Sequence, residues 1–187
     1  MSSTEQPYEP PEGPHYERRA FLLLALVGTG AYAYWSRNAP PARKLPARVR
    51  IAEFDGSGKL IRVSAVPTVQ KSDAEWQKLL PADSYSITRQ HDTELAFMGR
   101  FYNFHGDGIF RCVCCGTALF DSKAKYNSGT GWPAFTEPIA QENVVVDGDV
   151  RCRRCDAHLG DRFDDGPPPG DLRYCIDSVA LTFVPRA

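Results

Sequence analysis

Cysteines at positions 112 and 115, and again at 152 and 155, form two C-x-x-C pairs with 36 residues between them. No other feature limits the fold so tightly. Each pair presents two sulfurs from one tight turn, and two such turns close a tetrahedral shell around one ion. Zinc suits four thiolates because it has no redox chemistry and makes no further geometric demand. Two separate redox C-x-x-C motifs are the competing reading. A redox site needs only one pair, whereas a four-cysteine site accounts for both. Gly116, directly after Cys115, is the residue a knuckle turn needs. Cys114 lies inside the first knuckle and is expected to be a packed thiol that does not ligate. The two knuckles must therefore meet in space, and the chain between them must leave and return.

The surrounding pattern is mainly β with little helix. Val49, Ile51 and Phe54 in "RVRIAEF", the turn "DGSG" and the following "KLIRVSAV" predict a hairpin. "KSDAEWQKLL" predicts a short helix, with Ser72 and Glu75 placed as a capping box. From Gly106 onward short strands alternate with Gly-, Pro- and Asp-rich turns. Val179, Leu181 and Phe183 alternate with Ala180 and Thr182 in a closing strand. The folded domain is expected over 48–187. With a net charge of −1 over 187 residues, nothing favours nucleic-acid binding electrostatically. No Gly-rich phosphate loop and no internal repeat is present.

The first 47 residues have a different composition. Residues 1–19 are Pro- and Glu-rich and predict a disordered tail. Residues 20–36 form an uncharged run, shorter than the roughly 20 residues of a membrane span and suited to a signal or membrane-anchor segment. Arg18, Arg19, Phe21 and Leu22 resemble a twin-arginine export signal. Arg37, Arg43, Lys44, Arg48 and Arg50 follow the run; the positive-inside rule alone would keep the following domain cytoplasmic. The expectation is export or an outward-facing anchored domain, with a cytoplasm-facing anchored domain as the alternative. Residues 37–47 read as a Pro-rich linker.

Cys175 stands apart from the other five cysteines. It is either a structural thiol or a nucleophile. Arg173, two residues before it, would stabilise a thiolate. His158 is a ligand, a proton donor or a core histidine. Trp132 in "NSGTGWPAF" is either a core aromatic or an apolar wall for a small group.

These segments together resemble the methionine-R-sulfoxide reductase family, B type. The resemblance runs from about Arg48 to Pro185 and rests on "LLPADSYSITRQHDTELAFMGRFYNF", "GIFRCVCCGTALFDSKAKYNSGTGWPAF", "CRRCDAHLGDRFDDGPPP" and "RYCIDSVALTF". It implies a zinc-containing β-tent of two antiparallel sheets with a few short helices. It implies thiol-dependent reduction of methionine R-sulfoxide, free or in oxidised proteins, and an external thiol reductant, thioredoxin-like or other. On this chain it makes Cys175 the nucleophile, Cys112, Cys115, Cys152 and Cys155 the zinc ligands, and Trp132 the wall for the substrate methyl. His158, Asp165 and Arg173 fall at active-site positions.

The chain departs from the family pattern at two of those positions. Asp161 stands where the family usually has a second histidine, and Asp177 where it usually has asparagine. Thr130 occupies the place of a recycling cysteine found in some relatives. A protonated Asp161 is expected to act as the general acid. The alternative is a weak or inactive zinc-bearing binding module, or a redox sensor.

Overall fold

The computed structural model describes residues 43–186. The expected tail, the signal or anchor segment and the start of the linker lie outside the described residues. Among the described residues no helix is long and apolar enough to cross a membrane.

The first element is the anticipated hairpin. β1 (Arg48–Phe54) and β2 (Leu60–Pro67) pair antiparallel, with Val49 opposite Val66 and Ile51 opposite Ser64. Asp55 builds the turn, its Oδ1 accepting from the amides of Ser57 and Lys59 at 2.9 Å. Helix α1 (Asp73–Leu79) begins where the capping box predicts: the Ser72 amide donates to the Glu75 carboxylate at 2.8 Å. Its one buried residue is Trp76.

A second helix, α2 (Ala82–Gln90), is not anticipated by the sequence. Its core is Ser-Tyr-Ser-Ile-Thr, all weak helix formers, and Pro81 at the N-cap offers no side-chain acceptor. Tertiary burial holds it instead. Ser84, Tyr85, Ile87 and Thr88 face inward, and Ser84 Oγ donates to the Val179 carbonyl at 2.8 Å.

The remaining strands form two antiparallel sheets, as the resemblance implies. The first has the order β5 (Lys125–Tyr126), β6 (Ala134–Phe135), β10 (Arg173–Ile176), β9 (His158–Phe163), β8 (Asp149–Cys152), β7 (Val144–Asp147). The second has the order β11 (Leu181–Pro185), β3 (Gly108–Cys112), β4 (Ala118–Asp121). The hairpin β1–β2 is a separate two-stranded sheet. The closing strand begins at Leu181; Ser178–Ala180 is a short 3-10 turn, closed by the Ala180 amide on the Asp177 carbonyl.

An aromatic core joins the two larger sheets. Phe120 of β4 stacks on Phe135 of β6 with centroids 4.4 Å apart, and Phe110 of β3 meets Phe135 edge-on at 5.1 Å. Such pairs contribute about 0.5–1.5 kcal/mol beyond their burial. Asn143, fully buried, ties in the first hairpin. Its side chain accepts from the Ala52 amide and donates to the Ala52 and Ala118 carbonyls at 2.8–2.9 Å.

Candidate functional site

The four paired cysteines converge. β3 ends at Cys112 and β8 at Cys152, and each strand runs into the same knuckle. The Gly116 amide donates to the Cys112 carbonyl and the Asp156 amide to the Cys152 carbonyl, both at 2.8 Å. Gly116 (φ 72°) and Asp156 (φ 56°) both take the left-handed conformation. Glycine does so freely, and aspartate tolerates it better than most side chains. Cys112 and Cys155 stand 3.6 Å apart, sulfur to sulfur, and Cys115 and Cys152 stand 3.5 Å apart. All four sulfurs lie within 4.8 Å of one another. A tetrahedral zinc with bonds of about 2.3 Å sets its sulfurs about 3.8 Å apart, so the set is compatible with zinc. The neighbouring sulfurs, Cys114 foremost, push the Cys112 thiol well up; a cation relieves that crowding. Cys114 packs outside the set, its sulfur 3.4 Å from Thr88 Oγ1.

The reactive candidates gather on one face of the six-stranded sheet. Tyr126, Ala134, Cys175 and Asp161 are register partners across β5, β6, β10 and β9. Cross-strand partners point to the same side of a sheet, so these four form one row. Next to it, Arg173 of β10 pairs with Phe163 of β9, and its guanidinium lies 4.3 Å from that ring. Asp165 holds the guanidinium through two parallel bonds of 2.8 Å. That clamp keeps the Asp165 carboxyl below its usual range.

Cys175 is half-buried. Burial pushes its thiol up; Arg173 and the Thr130 hydroxyl oppose this, and Asp177 and Asp161 add to it. The two acids differ in setting. Asp161 is exposed. Asp177 is 2% exposed, and burial pushes its carboxyl up to about 7. The Glu94 amide, donating to Asp177 Oδ1 at 3.0 Å, works against that rise, while the Glu94 charge works with it. His158 is buried on β9, with Nδ1 2.9 Å from Asp149 Oδ2. An ionised carboxylate only accepts, so this contact makes Nδ1 the donor.

Trp132 is half-buried at the entry to β6, and the segment between α2 and β3 holds it in place. Trp132 Nε1 donates to the Glu94 carbonyl at 3.1 Å, and the Phe97 amide to the Gly131 carbonyl at 2.8 Å. The Glu94 carboxylate accepts from the Ser178 and Val179 amides at 2.7 and 3.2 Å. Glu94 thus links Trp132, Asp177 and the turn after Cys175.

Three residues of this face carry no sequence signal. Glu94 reaches partners 38 to 85 positions away. Asp149 meets His158 only because β8 pairs with β9. Tyr126 comes into the row through the sheet register; its hydroxyl is buried and has no partner among the described residues. Burial pushes that phenol up, and Arg173, Asp165 and Cys175 all lie close enough to act on it.

The SelR domain model matches residues 80–185. Similar proteins include the peptide methionine sulfoxide reductase MsrB of Pseudomonas fluorescens, 46% identical over 127 residues, which cover 63% of this chain and 98% of that protein. The MsrB proteins of Herminiimonas arsenicoxydans and a Synechococcus strain are 46% and 43% identical over 124 residues, covering 62% of this chain and 90% and 91% of theirs.

Proposed function

The chain belongs to the SelR, or MsrB, family of peptide methionine sulfoxide reductases, and on that premise we propose that Cys175 is the nucleophile with which it reduces methionine R-sulfoxide. The observation that carries the assignment is the placement of Cys175. The thiol is half-buried in the row between Ala134 and Asp161, beside a charge-clamped Arg173 and a buried Asp177. The small Ala134 leaves room on one side, and Trp132 supplies an apolar ring for the substrate methyl.

In this reading the Cys175 thiolate attacks the sulfoxide sulfur while its oxygen takes up a proton. Methionine leaves, and the oxygen ends on Cys175 as sulfenic acid. Two external thiols then return the cysteine to the thiol, forming one disulfide and one water. Arg173 favours the thiolate by charge. We assign the proton to Asp177 in place of Asp161, because Asp177 is the buried acid with a pKa near neutrality, where a general acid works best. His158, held at Nδ1 by Asp149, is among the charges that act on Asp177.

The four-cysteine set would hold zinc through Cys112, Cys115, Cys152 and Cys155, supplying a structural cross-link and no redox chemistry. Exposed Leu95, Phe97 and Met98 lie in the segment that holds Trp132. They support an oxidised polypeptide as substrate, since free methionine sulfoxide does not need a flanking apolar surface. The sequence of residues 18–36 supports export or outward anchoring, testable by fractionating cells that express the full chain. The binding-module and sensor readings are not favoured, since the relatives are named as reductases.

The assay is reduction of both methionine sulfoxide epimers with dithiothreitol. Turnover of the R epimer alone, lost in Cys175→Ser with the fold intact, is the expected result. Turnover of the S epimer, or a Cys175→Ser variant within a few fold of the native chain, would overturn the assignment.

A further inference from the structure

We propose that His91, Asp149 and His158 form a second metal site, separate from the four cysteines, that takes a borderline divalent cation such as Zn2+, Ni2+ or Co2+ and restrains the enzyme when filled. The restraint rests on the reductase reading above; the binding does not.

Two imidazoles converge on one oxygen. Asp149 Oδ2 lies 2.9 Å from His158 Nδ1 and 3.5 Å from His91 Nδ1. The three candidate ligand atoms lie within 4.8 Å of one another, and the ring centroids are 5.0 Å apart. Metal–nitrogen and metal–oxygen bonds of about 2.0–2.2 Å place ligand atoms around one ion roughly 3–4 Å apart. Two of the three spacings are therefore within range, and a small rotation of the exposed His91 ring closes the third. Two imidazoles and a carboxylate suit borderline cations, and three protein ligands leave positions for water.

The fold delivers these groups for separate reasons. β8 and β9 pair, which brings Asp149 to His158. His91 caps α2 in the left-handed conformation (φ 58°), its amide donating to the Ser86 carbonyl, and the reversal carries its ring over His158. Its side chain is 60% exposed, so a cation reaches it from solvent. Burial, and the charge of His158 next, hold His91 below its ordinary pKa, while Asp149 and Asp156 oppose this. An imidazole that binds a metal must be neutral.

The surrounding charge also favours a cation. Arg151, 4% exposed, lies 2.8 Å from Asp149 Oδ1, but Asp156 at 2.7 Å and Asp147 at 3.6 Å share it. Arg43 also lies 3.5 Å from Asp147, so three carboxylates against two guanidinium groups leave one net negative charge beside the imidazoles.

Filling the site puts the cation at His158 Nδ1 in place of the proton that now faces Asp149, and the ring's one proton then sits on Nε2. The bound cation then places positive charge near Asp177, which favours the carboxylate over the proton-donating acid. Asp177 is then less able to donate its proton, while the four-cysteine centre is untouched.

The binding test uses the full zinc-loaded chain carrying Cys175→Ser, titrated with Co2+ and followed in the visible spectrum. We expect one further equivalent to bind with ligand-field bands and without thiolate charge-transfer bands. His91→Asn should weaken that binding by about tenfold or more, since even outer-shell changes cost metals that much; His105→Asn should leave it unchanged. The activity test uses chains with Cys175 intact. Zn2+ should inhibit reversibly with a chelator, and His91→Asn should keep the basal rate and need about tenfold more metal. Absence of a further equivalent, thiolate bands on it, or unchanged affinity in His91→Asn would overturn the site. Binding without inhibition would overturn the restraint. A chain with no reductase activity would defeat the function reading, while the cobalt spectrum would still decide the site.

Discussion

Asp161 and Asp177 flank the same thiol in different settings. Asp161 stands in the row with Cys175 and faces solvent; Asp177 is buried, and its carboxyl sits near pH 7. Loss of the Asp177 proton should therefore make the rate fall as pH rises through about 7. Asp177→Asn should cut the rate at pH 6 by about tenfold or more, in line with the loss of a general acid, and abolish that descending limb. Asp161→Asn should stay within about twofold, because an exposed side chain acts through high dielectric. Rate–pH profiles of the three proteins decide this, and a steep loss in Asp161→Asn alone would return the role to Asp161. Stability has the same sign. A carboxyl raised in the folded state favours folding fully below its ordinary value of 3.8, and that contribution disappears as pH rises through about 7. The native chain should melt lower at pH 8 than at pH 5, and Asp177→Asn should lose this difference.

At the scale of elements, the strands position the chemistry and one segment locks it. Gly160 on β9 sits opposite Ile176 with φ 142°, and a Cβ there would lie 2.1 Å from the Cys175 carbonyl oxygen. Gly160→Ala should push β10 away and lose both activity and several degrees of melting temperature; calorimetry beside the assay checks it. Glu94→Ala removes the acceptor of the part-buried Ser178 and Val179 amides, worth about 1–3 kcal/mol, and frees the turn that follows Cys175. The expected result is a lower kcat with a smaller change in KM, and Glu94→Gln should recover part of it. Elements with local codes were legible in the sequence. Both knuckles follow from cysteine spacing, the first hairpin from alternation, and α1 from Ser72 and Glu75. Helix α2 was not legible, because tertiary burial of Ser84 and Thr88 overrides poor propensity. Nor was the row of Tyr126, Ala134 and Cys175, which exists only once β6 lies between β5 and β10. Glu94 and Asp149 are hidden for the same reason: long-range pairing gives them their partners, and pairing leaves no local pattern.

Across the whole described domain, the four-cysteine centre lies at the ends of β3 and β8, which belong to different sheets. An ion there would tie the two sheets together as the Phe120–Phe135 stack does. Metal binding of this kind is worth on the order of 10 kcal/mol in small zinc peptides, so Cys112→Ser should lose zinc and fold poorly, as metal analysis and circular dichroism would record. The Phe120–Phe135 stack joins the two sheets without a ligand bond, so partial structure should survive zinc removal. The reactive face depends on both sheets at once: Cys175 lies in the six-stranded sheet, and the turn after it leads into β11 of the other. A single-turnover reaction shows whether Cys175 takes the sulfoxide oxygen. The full chain, without reductant, is mixed with a methionine R-sulfoxide peptide and analysed by peptide mass spectrometry. One sulfoxide reduced per chain and a single added oxygen on the peptide bearing Cys175, with no disulfide to Cys114, is the expected result. Sulfoxide reduced with Cys175 unmodified, or a Cys114–Cys175 disulfide as the main product, would contradict the assignment of Cys175.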